Sequence, residues 1–195
     1  MIMKKFFFSL FIAFTVFLTA FAQEESEHLT FKGVPIDGTL NEYVSKMKQA
    51  GFTHIGTQDD IAILQGDFAG FKGCTVFVST LKSIDKVSTI GVMFPEKNDW
   101  DSLENNYGNL KSMLTKKYGE PSDCTETFKG HTPSMNLAKL SSLKMGDCTW
   151  YTTFSTPKGD IQLSLESLEY NCHVILRYYD KINTDAVESQ AMDDL

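Results

Sequence analysis

The sequence predicts an α+β protein made of two halves, each a helix followed by a meander of antiparallel strands. Three observations lead there. Two amphipathic segments each stop at a glycine, Gly51 and Gly119. Runs of strand-like alternation follow each stop, clearest at Ile161, Leu163 and Leu165 with Gln162, Ser164 and Glu166 facing the other way. A Lys-Gly turn precedes a strand in each half, at Lys72-Gly73 and Lys158-Gly159. The halves are expected to pack together and are able to share one sheet.

The chain opens with a segment that reads as a secretory signal peptide, residues 1–22. Lys4 and Lys5 are followed by an uncharged apolar run, then by Ala20-Phe21-Ala22, small residues where a peptidase needs them. The apolar run is short for a membrane span, which needs about 20 residues. The expected localisation is therefore periplasmic or secreted after cleavage near Ala22. No cysteine follows the run, which disfavours a lipid anchor, and no later segment is apolar enough to span a membrane.

Removal of the leader leaves about 173 residues, with 16 basic and 25 acidic side chains and a net charge near −9. That length can bury a core of its own. An acidic balance without a basic cluster argues against a nucleic-acid partner.

The first half spans residues 23–98. Thr39 and Glu42 form a capping box, and Leu40, Tyr43, Val44 and Met47 share one helix face. Gly51 supplies the left-handed residue that ends the helix. Strands are expected at 53–57, 60–66, 74–80 and 86–94.

The second half spans residues 99–182. Asp101 and Glu104 give the helix start signal, and Leu103, Tyr107, Leu110, Leu114 and Tyr118 line one face. Gly119 ends that helix and Pro121 prevents its resumption. Strands are expected at 123–128, 148–155, 160–167 and 172–179, with an extra segment near 129–146. Turns are expected at Gly70–Gly73, Pro157–Asp160 and Asp59-Asp60. An acidic tail, 183–195, closes the chain, and a polar helix is expected to start after Thr184.

Thr39-Leu40-Asn41-Glu42-Tyr43-Val44, Gly51-Phe52 and Lys117-Tyr118-Gly119-Glu120-Pro121 resemble small exported proteins of Bacteroidetes that lack an assigned activity. The two-fold helix-plus-meander plan is also similar to the beta-lactamase-inhibitor proteins. That second resemblance, one of architecture alone, implies a concave antiparallel sheet presented to a protein target; it carries over no contact residues.

Catalytic and metal-binding patterns are not found. The sequence has no GxSxG elbow, HExxH helix, phosphate-binding GxxxxGK[ST] or EF-hand loop, and its histidines are dispersed. No catalytic residue, metal site or cofactor is expected. Cys172 and His173 are adjacent on a strand and point to opposite faces, so they form no nucleophile–base pair.

Four cysteines in an exported chain suggest two disulfides, with three connectivities open. The expected pairs are Cys124–Cys148, closing a loop of about 25 residues, and Cys74–Cys172.

One surface stands out. If the aliphatic positions of the strands face the helices, the opposite face carries Phe77, Met93, Ile175, Arg177 and Tyr179. Trp150, Tyr151 and Phe154 are candidates to extend it. Aromatic and apolar side chains with one arginine suit recognition. The expected function is a non-catalytic exported protein that binds a protein or another envelope ligand through this face. A small exported hydrolase or thiol enzyme, and a structural or assembly factor of the envelope, are the alternatives.

Overall fold

The structure is a computed structural model and describes residues 26–81 and 83–193. The signal-peptide reading falls outside them. Two minimal strands, β1 (Thr30–Phe31) and β2 (Val34–Pro35), form an N-terminal hairpin that the sequence pattern did not reveal. Helix α1 (Leu40–Gln49) starts at the expected capping box: Glu42 N donates to Thr39 Oγ1 at 3.4 Å, and Thr39 N donates to Glu42 Oε2 at 3.0 Å. It buries Tyr43, Val44 and Met47 and ends before Gly51, whose φ is +96°.

The first meander is β3 (Thr53–Gln58), β4 (Ile61–Phe68), β5 (Phe71–Leu81) and β6 (Lys86–Met93). Asp59-Asp60 and Ala69-Gly70 turn the chain with positive φ at both residues, the geometry that matches strand twist.

Helix α2 (Trp100–Tyr118) is capped two residues ahead of the Asp101 that the start signal, Asp101 and Glu104, put at its cap. Asp99 is the cap, accepting from Ser102 N at 2.8 Å. Asp101 instead accepts from Asn136, and Glu104 accepts from Trp100 Nε1 at 3.0 Å.

Strand β7 (Asp123–Phe128) follows, then β8 (Cys148–Thr156), β9 (Gly159–Leu168) and β10 (Asn171–Asp180). The extra segment between β7 and β8 contains a third helix, α3 (Asn136–Met145). Its start has no side-chain cap and its apolar pattern is weak, so neither of the usual helix signals marks it. The last helix, α4 (Lys181–Asp193), begins directly after β10, ahead of the expected start.

All eight meander strands form one antiparallel sheet in the order β3-β4-β5-β6-β10-β9-β8-β7. The last strand of each meander therefore meets the other at the centre, with Ile90 opposite Tyr178 and Val92 opposite Leu176. One hydrophobic core joins the two halves, and Tyr43 and Met47 of α1, Leu103 and Leu110 of α2 and Leu140 and Leu143 of α3 all belong to it. On the sheet side it takes Leu64, Val76, Val92, Leu163, Val174 and Leu176. Phe31 of the hairpin packs against Phe52, Phe68 and Tyr178. Among the described residues, no helix is long and apolar enough to cross a membrane.

The cysteine reading is corrected. All four thiols are free. Cys124 lies opposite Thr152, whereas Cys148 lies opposite Phe128, four residues along the same ladder. That is about 13 Å of strand, beyond the ~7 Å that a disulfide spans. Cys74 and Cys172 are both buried, as their face pattern required, but β6 runs between their strands. Two strand spacings separate them by about 10 Å.

Candidate functional site

Strand pairing builds the sheet's second face in continuous rows. One row runs Ile63–Phe77–Gly91–Arg177–Gln162–Thr153–Asp123 across seven strands. The next runs Gln65–Thr75–Met93–Ile175–Ser164–Tyr151–Thr125. A third carries Ile61–Ser79–Thr89–Tyr179–Asp160–Ser155. Phe77, Met93, Ile175, Arg177 and Tyr179 are thus brought together on one face, as their alternation implied.

Trp150 is not part of it. It lies one residue out of phase and packs edge-on against Trp100 of α2, with ring centroids 5.2 Å apart, and against Phe128. Phe154 is likewise buried in the core. Tyr151 does face this surface, where its hydroxyl donates to Asp123 Oδ2 at 2.7 Å.

The face divides at the central seam. On the β4–β6 side it is apolar, with Ile61, Ile63, Phe77 and Met93 half-buried or exposed. On the β8–β10 side it is polar and organised by Arg177. The guanidinium reaches past Ser164 to Glu166, giving Nη2 to Oε2 at 2.8 Å and Nη1 to Oε1, while Ser164 Oγ donates to Oε1 at 2.6 Å. Glu166 lies opposite His173, so the arginine crosses the row of Ile175 and Ser164 to reach it. This explains why Ile175 is only 5% exposed: the arginine stem lies alongside it.

Burial disfavours the ionised Glu166 carboxyl, but the hydrogen bonds from Arg177 and Ser164 outweigh that and hold it below the usual range. The same bonds raise the Arg177 guanidinium further. Burial also raises the Tyr179 phenol.

Glu166 was visible in the sequence only as an outward residue. Its partnership with Arg177 needs the β9–β10 register, which alternation alone does not give.

A second cluster lies on the helix side, at the β7 edge. Lys111 Nζ donates to Glu126 Oε1 at 2.6 Å and to Cys124 Sγ at 3.2 Å. Thr152 Oγ1 lies 3.4 Å from the sulfur and 2.6 Å from Tyr107 Oη. Burial would lower the Lys111 pKa, but its bonds to Glu126 and Cys124 raise it overall. Lys111 therefore stays an ammonium and is no base for the thiol. His173 lies on the opposite face of β10 from Cys172, where its Nδ1 bonds Phe94 O at 2.8 Å. Among the described residues, no group of His, Cys, Asp or Glu is arranged to hold a metal ion.

Fold and site together define a class: a helix-backed, eight-stranded antiparallel sheet with an outward face that is half apolar and half polar. No protein-family model matches the chain, and no curated protein or solved structure matches it either.

Proposed function

We propose that this is an exported, non-catalytic binding protein that engages a protein partner through the outward sheet face, in the periplasm or the medium. One observation carries the reading. Helices α1, α2 and α3 all contribute to the core on one side of the sheet, while Ile61, Ile63, Phe77 and Met93 are left at the other surface. Apolar side chains in a contiguous group, beside an ordered Arg177–Glu166 pair, have the make-up of an interface centre with a polar margin. The resemblance in plan to inhibitor proteins that present a sheet to a target points the same way, at the level of architecture only.

The test uses a photo-crosslinking residue in place of Thr75, which lies between Gln65 and Met93 on this face. The expected result is a discrete adduct with an envelope or secreted protein, abolished by Phe77→Ala and weakened by Arg177→Ala. A crosslink pattern identical in wild type and both variants would overturn the reading. So would adduct formation only from a crosslinker placed on α2.

A further inference from the structure

A cavity of about 440 Å³ opens where the ends of β8, β9 and β10 meet α4. Ser155, Asp160 and Tyr179 line it, and they are consecutive partners across those three strands on the outward face. Thr184 and Asp185 of α4 line the other side, with Lys181 beside them. Two strand spacings make the sheet side about 10 Å wide, enough to seat a sugar ring.

The polar groups of this cavity fall into two sets. The hydroxyls are already engaged: Ser155 Oγ with Ser122 Oγ at 2.9 Å, Thr156 Oγ1 donating to Gly159 O at 2.8 Å, and Thr184 Oγ1 donating to Asp180 O at 2.8 Å. The Asp160 and Asp185 carboxylates and the Tyr179 hydroxyl have no hydrogen-bond partner among the described residues. Two open carboxylates, an aromatic ring that is 37% exposed and a lysine therefore border one volume.

This donor set selects among ligand classes. Two carboxylates oppose an anion. Polar and apolar surface both line it, so a wholly apolar ligand would leave the carboxylates and the ammonium without partners. Lys181 opposes a compact cation. A saccharide meets every requirement: hydroxyls to donate to carboxylates, ring oxygens to accept from a lysine or a phenol, and a C–H face to lie on an aromatic ring.

We infer that the cavity is a saccharide-binding site in which Asp160 and Asp185 accept hydrogen bonds from sugar hydroxyls and the Tyr179 ring supports a pyranose face. This goes beyond the protein-docking reading. It rests on the cavity, which shares Ser155, Asp160 and Tyr179 with the polar half of that surface and none of its apolar residues.

The experiment is an amide-resolved NMR titration of the isotope-labelled full chain. The probes are maltose, cellobiose, mannobiose and N,N′-diacetylchitobiose at millimolar concentration, with N-acetyl-lysine methylamide as the cationic probe. At least one disaccharide is expected to shift the amides of Ser155, Asp160, Tyr179 and Thr184. Asp160→Asn and, separately, Asp185→Asn are expected to weaken that binding by about tenfold, and Phe77→Ala is expected to leave it unchanged. Asp185 sits on exposed helix surface, so its variant reports on the cavity even if Asp160→Asn disturbs the sheet. The inference is overturned if none of the four disaccharides moves these amides, if both Asn variants bind as wild type does, or if only the lysine probe moves them. Loss of the crosslinked adduct in Phe77→Ala, alongside an unresponsive cavity, would reject the saccharide site and leave protein docking standing.

Discussion

In the first half of the sheet, β3 to β6, the ten-residue α1 and the N-terminal hairpin form the helix layer, and α4 adds contacts to β5 and β6, with Asn183 donating to Val87 O at 2.9 Å. In the second, β7 to β10, it is the 19-residue α2 and the ten-residue α3. The strand order is the mirror of itself about the β6–β10 seam, yet the two halves are finished differently on both faces. The half with the thin helix layer keeps apolar residues on its outward face. The half with the thick layer puts its large aromatics, Trp100, Phe128 and Trp150, on the helix side and covers its outward face with Arg177, Glu166, Gln162 and Asp160. One strand plan thus supports two finishes: an apolar outward surface on one side of the seam and a reinforced core on the other.

The strongest way to break that comparison is Trp100→Ala. Trp100 is fully buried and joins α2 to β7 and β8 through Phe128 and Trp150. Loss of about 4 kcal/mol is expected in urea unfolding. Hydrogen exchange should quicken in α3 and β7 and not in α1. Equal acceleration in both helices would show that the halves do not differ in this way.

Two glycines sharpen it next. At Gly159, φ is +140° and an added Cβ would lie 2.0 Å from the Tyr179 carbonyl oxygen. At Gly66, the Cβ would meet the Phe52 ring at 2.5 Å, and a ring can turn where a backbone cannot. Gly159→Ala is expected to cost about 3 kcal/mol and Gly66→Ala about half that, by thermal unfolding. The reverse order would place the tighter constraint in the first half.

Arg177→Ala should cost about 1 kcal/mol, because the pair with Glu166 is partly solvated. The effect has a pH signature. Glu166 is held below its ordinary range, so its stabilising share is complete above the unfolded-state pKa of about 4.3 and fades as pH falls through the folded value. Wild type and variant should therefore draw together as pH falls below about 4.3 and converge once it is below the lowered folded value. A constant gap down to acid pH would mean that packing of the arginine stem on Ile175, and not its charge, is what matters.

Thiol chemistry gives the smallest perturbation. Titration of the native protein with a coloured disulfide should find Cys124 reactive and Cys148 slow, since burial and then Cys172 push the Cys148 thiol up to about 11. Cys74 and Cys172 should react only on unfolding. A native protein with no titratable thiol would contradict the ladder registers that keep the cysteines apart.

Much of this was legible because it is local. The Thr39 box, the Gly51 and Gly119 stops and the alternation of β9 each depend on neighbours a few residues away. All eight strands overlap their expected ranges, but β5 starts at Phe71, inside the turn expected at Gly70–Gly73, because Ala69-Gly70 alone make the turn. Trp150 was ambiguous because β8 is rich in polar and aromatic residues on both faces, so its phase is not readable from pattern. The cysteine pairs failed because a sequence gives loop length and not register. Asp99 displaced the expected start of α2 because Asp99 and Asp101 are both sound cap residues, and backbone geometry chose between them. The carboxylate set of the α4 cavity draws on Asp160 and Asp185, which meet only after β10 turns into the last helix.

The seam at β6 and β10 has a consequence for synthesis. As the chain emerges, β6 completes the first meander but has no neighbour on its far side, and the strand that will cover it is the last of the ten. A nascent first half therefore carries an open, β-branched edge (Val87, Ile90 and Val92) through the synthesis of some 80 residues, as the numbering of β6 and β10 requires. Chains truncated before β10 are expected to be captured by holdase chaperones or to pair with one another. The last strand acts as the latch that withdraws this edge from its neighbours.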